Sequence, residues 1–352
     1  MNRTVKTVLK YLFTVLLTLG FLYFAFKGTD VDMLWHDLSH ANYWWVLGML
    51  AVLVVSHLLR AWRWEYLLRP IKRNLRYRNL VSALMVGYMM NNVLPRAGEI
   101  VRPYAIGKLE GISRSAAFGT LLVERMFDFL SMVLVLALIP LVYSGPLTQT
   151  FPWLEQASIW ITVVTLAFMG FFTFLMFRRD IVERILTFFT RHLSPPRAKL
   201  VERITHSFLD GFLFLKDRKT YFMIGFLSLL VWGLYILMMY LPFYAFDLPQ
   251  KYPHLDMAAA LVVEGISSLG IIIPTPGAIG PYHYFTVQTL TQLYHVDGEL
   301  ARSYAAVTNA VGVFGISLIG FYYFFRDNLR MADVMKEERV QDEMREQAPT
   351  VS

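Results

Sequence analysis

Residues 91–102 read NNVLPRAGEIVR, and residues 271–280 read IIIPTPGAIG. Each stretch interrupts a long apolar run with Pro and Gly, where a membrane helix would simply continue. With Val93 set over Ile272, VLPRAGEIVRPY and IIPTPGAIGPYH bring Pro95 over Pro274 and Gly98 over Gly277. An unpaired backbone N–H or C=O in lipid costs several kcal/mol, so such breaks persist only inside protein or beside a wet cavity. A matched pair of breaks in the two halves of a chain points to a transporter's binding site. Two ordinary kinked helices are the plainer reading, but kinks seldom carry Asn91, Asn92, Arg96 and Glu99 at the break.

The composition sets the solvent. Of 352 residues, 56% are hydrophobic and 15% aromatic, with a mean hydropathy of +0.46. Near-uncharged runs of about eighteen residues or more recur along the chain, which marks a polytopic helical membrane protein. The formal charge of +7 gathers in particular loops, so it reports topology rather than nucleic-acid binding. With no Cys there are no disulfides, thiolate metal sites or thiol nucleophiles. Arg3, Lys6 and Lys10 ahead of an apolar run imitate a signal peptide, but no small-x-small site follows, so residues 7–26 are expected to stay as a first span.

Loop charge then orients the rest. A span at 43–59 ends in RAWRWEYLLRPIKRNLRYR, whose Arg60, Arg63, Arg69, Lys72, Arg73, Arg76 and Arg78 are expected to rest on anionic lipid at the cytoplasmic face. Residues 80–94 and 97–109 are each too short to cross, while 115–141 is a full span and the loop 142–156 has no Lys or Arg. Residues 80–111 must therefore enter and leave from the cytoplasm as a re-entrant hairpin. Span 158–177 returns inward to a basic stretch, 178–219, expected to form amphipathic helices on the inner leaflet. Span 221–244 leads outward, a second broken pair at 257–294 enters from outside, and 302–325 comes back in. The expected fold is an all-α polytopic membrane protein with about six full spans and two re-entrant Pro/Gly-broken hairpins in an inverted repeat. Both termini are expected in the cytoplasm. Residues 1–326 form one transmembrane domain, with a first half over 1–177, a linker at 178–219, a second half over 220–326 and a charged tail at 327–352.

Charges inside this frame are the candidates for function. Glu124, Arg125 and Asp128 lie about ten to thirteen residues into their span, roughly half-depth at ~1.5 Å per residue. Facing lipid, each would cost on the order of 2.5–3.5 kcal/mol. They read equally as an ion-pair node bracing the hairpin and as the polar floor of a substrate path. Glu264 is a polar point in the second half, and His283 follows the second break. Helices restart near Gly98-Glu99 and near Gly280-Pro281, and their N-termini are expected to converge on a common centre suited to phosphate, with Arg96 and Arg102 adding full charges. No hydrolase, zinc-protease, P-loop or dinucleotide motif is present, and no His/Asp/Glu set has metal spacing. No catalytic residue, metal or cofactor is therefore expected.

At NNVLPRAGEIVRPY, at ERMFD in the following helix and at PTPGAIGPYHYF, the chain resembles the flippase-like transmembrane family of lysylphosphatidylglycerol synthases and their stand-alone relatives. The resemblance implies lipid movement without lipid synthesis, since no synthase domain follows. By position it points to Asn92, Pro95, Gly98, Glu99, Arg102, Glu124, Arg125 and Asp128, and to Pro274, Pro276, Gly277 and Gly280. The chain departs from the family pattern at Ala278, usually Gly, and at His283, where an acid is usual. The second departure argues against a cationic lysyl head group.

The expected activity is a flippase, moving a phospholipid or other lipid-linked head group between leaflets of a bacterial cytoplasmic membrane. A membrane-embedded enzyme acting on a lipid head group, or a non-transporting scaffold for a separate lipid synthase, remain alternatives. Expected partners are membrane lipids rather than nucleic acid, with room for a lipid-modifying enzyme or a second copy of the chain.

Overall fold

A computed structural model describes residues 31–145, 147–177 and 218–329, with isolated positions at 184, 190, 201–202 and 205–206. The expected first span at 7–26, the amphipathic linker and the charged tail lie outside the described residues. Within them the chain is helical, with no strand. The longer elements are α1 (Val31–His40), α2 (Tyr43–Leu68), α3 (Tyr77–Val93), α4 (Gly98–Glu110), α5 (Arg114–Val142) and α6 (Pro152–Phe177). They continue as α7 (Arg218–Ala245), α8 (Met257–Ile272), α9 (Pro281–Tyr294) and α10 (Gly298–Arg326), whose middle is a π-helical turn, Val311–Gly315.

Four of these, α2, α5, α7 and α10, are long and apolar enough to cross a membrane. The span expected at 43–59 is longer than its apolar run, because the helix continues without a break through Arg60 and Arg63 to Leu68. The loop expected at 142–156, without Lys or Arg, is shorter than expected, since α6 starts at Pro152, a favoured first helical residue.

Two sets of contacts define opposite ends of the molecule. At one end Lys72 Nζ donates to Glu110 Oε2 (2.7 Å), Tyr77 Oη to Leu58 O (2.6 Å) and Lys108 Nζ to Asn328 O (2.8 Å). Burial alone would raise the Glu110 pKa, but Lys72, the Asn79 amide and the Arg76 N–H together hold its carboxyl below the usual carboxylate range. At the other end Asn42 N donates to Ala245 O (2.8 Å), Asp297 N to Tyr252 Oη (3.0 Å) and Tyr143 Oη to Leu293 O (3.3 Å). Helices α2 and α7 therefore run antiparallel along the whole length of the bundle.

Both broken stretches fold as helical hairpins, and they open to opposite ends. Helices α3 and α4 start and finish at the Lys72–Glu110 end, whereas α8 and α9 start and finish at the Ala245 end. The first hairpin closes on glycine contacts: a Cβ at Gly98 would lie 2.2 Å from Gly87 O, and one at Gly87 would lie 2.1 Å from Arg102 Cγ. Asn91 Oδ1 accepts from Gly98 N (2.7 Å), stapling the tip. In the second hairpin Gly270 packs on the Pro281 and Tyr282 backbone, where a Cβ would meet atoms at 2.8 Å.

The breaks are not identical. The first is 94–97 and the second 273–280, because the second contains a 3₁₀ turn, Pro276–Ala278. Pro95 and Pro274 keep their register, but helix α9 restarts at Pro281, so Gly98 and Gly277 are not equivalent in space. Gly277 sits inside the turn at φ 59, and Ala278 also has positive φ (54), a conformation that glycine adopts more readily.

Two expectations follow. Single Cys residues placed in the Cys-free chain at Asn74 and at His254 should react with an impermeant maleimide from opposite sides of the membrane; labelling from one side contradicts the arrangement of the hairpins. Gly98→Ala should lower stability by about 1–3 kcal/mol in a thermal or denaturant melt, because backbone cannot yield as a side chain can. Gly233→Ala, where a Cβ meets nothing, should stay within about 0.5 kcal/mol.

Candidate functional site

Arg102 is 1% exposed and Glu124 0%. Arg102 donates to Glu124 from Nη2 at 2.7 Å and from Nη1 at 3.3 Å, a two-pronged pair joining α4 to α5. Its guanidinium lies 4.4 Å from the Trp64 ring centroid, and Trp64 Nε1 donates to Thr120 Oγ1 at 3.0 Å. Arg102 is therefore held on every side by protein and is not an accessible charge beside the hairpin tip.

The same carboxylates receive two arginines from α2. Arg60 Nη2 reaches Glu124 Oε1 at 2.9 Å and Asp128 Oδ2 at 2.8 Å, while its Nη1 donates to Tyr235 Oη at 2.6 Å. Arg63 Nη2 reaches Asp128 Oδ1 at 2.7 Å and Glu124 Oε1 at 3.4 Å, and Nη1 donates to Ser228 Oγ at 2.8 Å. Expected as lipid anchors, Arg60 and Arg63 are instead 4% and 0% exposed. The signal was in the helical phase. Met49, Leu53, Ser56, Arg60, Arg63 and Leu67 recur at three- and four-residue steps, so the face that begins as core passes directly through the arginines.

Arg125 stands apart from the two carboxylates' buried partners. It touches Asp128 only at 3.6 Å, and its side chain is 27% exposed. The network is thus Glu124 and Asp128 gripped by Arg60, Arg63 and Arg102, with Arg125 at the margin.

At the first hairpin tip, Asn92 Nδ2 donates to Val313 O and to Ser317 Oγ, both at 3.0 Å. In the second tip Gly277 O accepts from Asn309 Nδ2 at 3.1 Å, and a Cβ on Gly277 would lie 2.8 Å from Val313 Cγ2. Both tips therefore dock on the π turn of α10, a device that often marks functional positions in helices. Pro95 is part-buried here, Arg96 is exposed with φ 64, and Glu99 is part-buried in the first turn of α4. The α4 N-terminus is not an open anion seat, because Asn91 occupies the Gly98 N–H and the Glu99 N–H closes onto Arg96 O.

In the second hairpin Pro274 is exposed, Pro276 opens the 3₁₀ turn and Gly280 precedes α9 with φ 97. Glu264 (7% exposed) makes no hydrogen bond or ion pair among the described residues, and His283 (6%) is buried one turn into α9. Around them run hydroxyl contacts: Ser267 Oγ with Thr286 Oγ1 at 2.8 Å, and Tyr282 Oη to Thr308 Oγ1 at 2.9 Å. The structure thus gathers the expected residues in two places, the tips on the π turn and the arginine network toward the Lys72–Glu110 end, with Glu264 and His283 in a third, uncharged setting.

The family described as the lysylphosphatidylglycerol synthase TM region matches residues 11–320. Among curated proteins, a UPF0104 membrane protein of Methanothermobacter thermautotrophicus is 27% identical over 234 residues, which is 62% of this chain and 66% of the relative. A UPF0104 membrane protein of Methanocaldococcus jannaschii is 31% identical over 123 residues, 33% of this chain and 36% of the relative. The chain spans less than two thirds of the length of these relatives. No solved structure matches.

The network ranks its members by stability. Arg102→Ala, which leaves a sealed carboxylate short of a partner, should cost ~3–5 kcal/mol. Arg125→Ala, at a partly exposed margin, should cost about 1 kcal/mol or less. Melting temperature and expression of the two purified variants test the order, and equal tolerance would contradict a sealed network.

Proposed function

This chain belongs to the lysylphosphatidylglycerol synthase TM-region family, and from that premise we propose that it is a lipid translocator rather than an enzyme. It moves the head group of a phospholipid or lipid-linked precursor between the leaflets of a cytoplasmic membrane. The observation that carries the reading is the meeting of two oppositely opening broken hairpins on one π turn. In a bilayer, non-helical backbone at mid-depth is tolerated where it lines a cavity, and two such breaks back to back leave a thin barrier between the two sides. The hairpins are re-entrant, the basic end faces the cytoplasm, and both termini lie on that side. Lipid is the partner, and the acyl chains stay in the bilayer while the head group passes the tips.

The carboxylates Glu124 and Asp128 favour this over head-group chemistry. Each is occupied by two or three arginines, so neither is placed to act as a general base.

Dithionite quenching of fluorescently labelled phospholipid in proteoliposomes tests the proposal. The wild type should expose inner-leaflet label faster than empty vesicles. Asn92→Ala and Asn309→Ala each remove contacts that hold a tip to α10, worth about 1 kcal/mol per hydrogen bond, and should change the rate about fivefold with little loss of fold. No exchange above empty vesicles for a range of head groups overturns the reading, and a covalently altered lipid detected in the same samples would replace it with an enzyme.

A further inference from the structure

The arginine network is out of balance. Four guanidinium groups, Arg60, Arg63, Arg102 and Arg125, face two carboxylates, Glu124 and Asp128, an excess of two positive charges. Among the described residues no nearby acid corrects it. Glu65 is paired with Arg69 and Glu110 with Lys72, and neither Glu99 nor Glu264 makes an ion pair among the described residues. Uncompensated charge in a poorly polarisable interior is costly, because Coulomb energies there are several times those in water.

The network also has a single accessible edge. The side chains of Arg63, Arg102 and Arg60 are 0%, 1% and 5% exposed, whereas Asp128 is 14% and Arg125 27% exposed. Asp128 already holds Arg60 at 2.8 Å and Arg63 at 2.7 Å, so its 3.6 Å contact leaves Arg125 with donors to spare. Tyr88 stands beside this edge. Its ring lies 5.2 Å from the Arg60 guanidinium and 5.9 Å from that of Arg102, and Arg60 shares Asp128 Oδ2 with Arg125. The Tyr88 hydroxyl and the Arg125 Nε–H are both buried without a hydrogen-bond partner. A phenol and a guanidinium with free donors, in a cluster that carries two uncompensated positive charges, are what a phosphate oxygen requires.

We propose that Arg125 and Tyr88 form a binding site for a phosphate group carrying net negative charge, with the buried arginines behind them selecting against a compensating amine. The proposal rests on the translocator reading and adds to it the charge of the cargo: an anionic phosphodiester head group, favoured over a zwitterionic or cationic one. Phosphate accepts from Arg125 at the open edge and from the buried Tyr88 hydroxyl behind it, and the excess charge of Arg60, Arg63 and Arg102 reaches it through low-dielectric protein. A head group that brings its own ammonium gains far less from that field.

The test uses the full chain in nanodiscs and in detergent, with three probes: dioleoylphosphatidylglycerol, dioleoylphosphatidylcholine, and inorganic phosphate at matched ionic strength. Native mass spectrometry reads retained lipid and thermal melting reads stabilisation. The wild type should retain and be stabilised by phosphatidylglycerol over phosphatidylcholine. Arg125→Gln should weaken that binding about 10-fold, the loss of one charge-assisted contact, while melting like the wild type without lipid. Tyr88→Phe should lower it in the same direction, and Arg114→Gln, an exposed arginine at the start of the same helix as Arg125, should leave it unchanged. Stabilisation by inorganic phosphate that also needs Arg125 supports the anion site and assigns it to the free ion. Equal retention of the two lipids, or a full phosphatidylglycerol preference in both Arg125→Gln and Tyr88→Phe, overturns the site. Leaflet exchange measured on the same preparations separates the two claims. Anion selectivity without exchange overturns the translocator and keeps the site, and exchange without head-group preference does the reverse.

Discussion

One carboxylate organises the first half of this protein. Glu124 accepts from Arg60 and Arg102 and pairs with Arg63 at 3.4 Å, and through them α2, α4 and α5 meet at a single sealed point. In a membrane protein the apolar effect does little to hold helices together, since lipid tails are as apolar as Leu side chains. A buried ion pair contributes less by attraction than by exclusion, because any arrangement that separates its members leaves charge in a low-dielectric setting. That penalty fixes the depth of α4 against α5 and the rotation of α2. It also explains why α2 carries arginines well inside a helix whose outer part is uncharged.

Close backbone contact does the corresponding work in the hairpins. Gly87 against Gly98, and Gly270 against Pro281, let the two arms of each hairpin approach to a distance that any Cβ would prevent. Short arms with no long hydrophobic face need such approach to gain dispersion contacts. The tips then find partners for their freed polar groups in Asn91, Asn92 and Asn309 rather than in water or lipid. The π turn at Val311–Gly315 offers the carbonyl of Val313 to Asn92, so the irregularity of α10 and the irregularity of the hairpin satisfy each other.

The two halves resemble one another in path but not in charge. The first half stores an excess of arginine, and the second holds Glu264 and His283 among Ser267, Thr286, Tyr282 and Thr308. For the proposed translocator, a head group that crosses between the tips leaves one electrostatic environment and enters another, a gradient that gives a direction-dependent affinity without any moving part.

Much of this was legible in the chain itself. Long uncharged runs announced the membrane, because each charged residue in lipid is costly. Short runs ended by LPRAG and IPTPG announced hairpins, because a helix too short to cross must turn back inside protein. Loop charge even predicted that the two hairpins open to opposite ends. Partnership was another matter. Arg60 and Arg63 stand at the edge of a basic loop in sequence, and only the continuation of α2 to Leu68 carries them inward to Asp128, some sixty residues away along the chain. Arg125 stands between two acids in sequence yet lies at the margin, since adjacent helical residues point about 100° apart and Glu124 faces the other helices. Sequence determined the solvent, the breaks and the ends; which arginine meets which carboxylate depended on the rotation of each helix about its axis, and that is set by packing across the bundle.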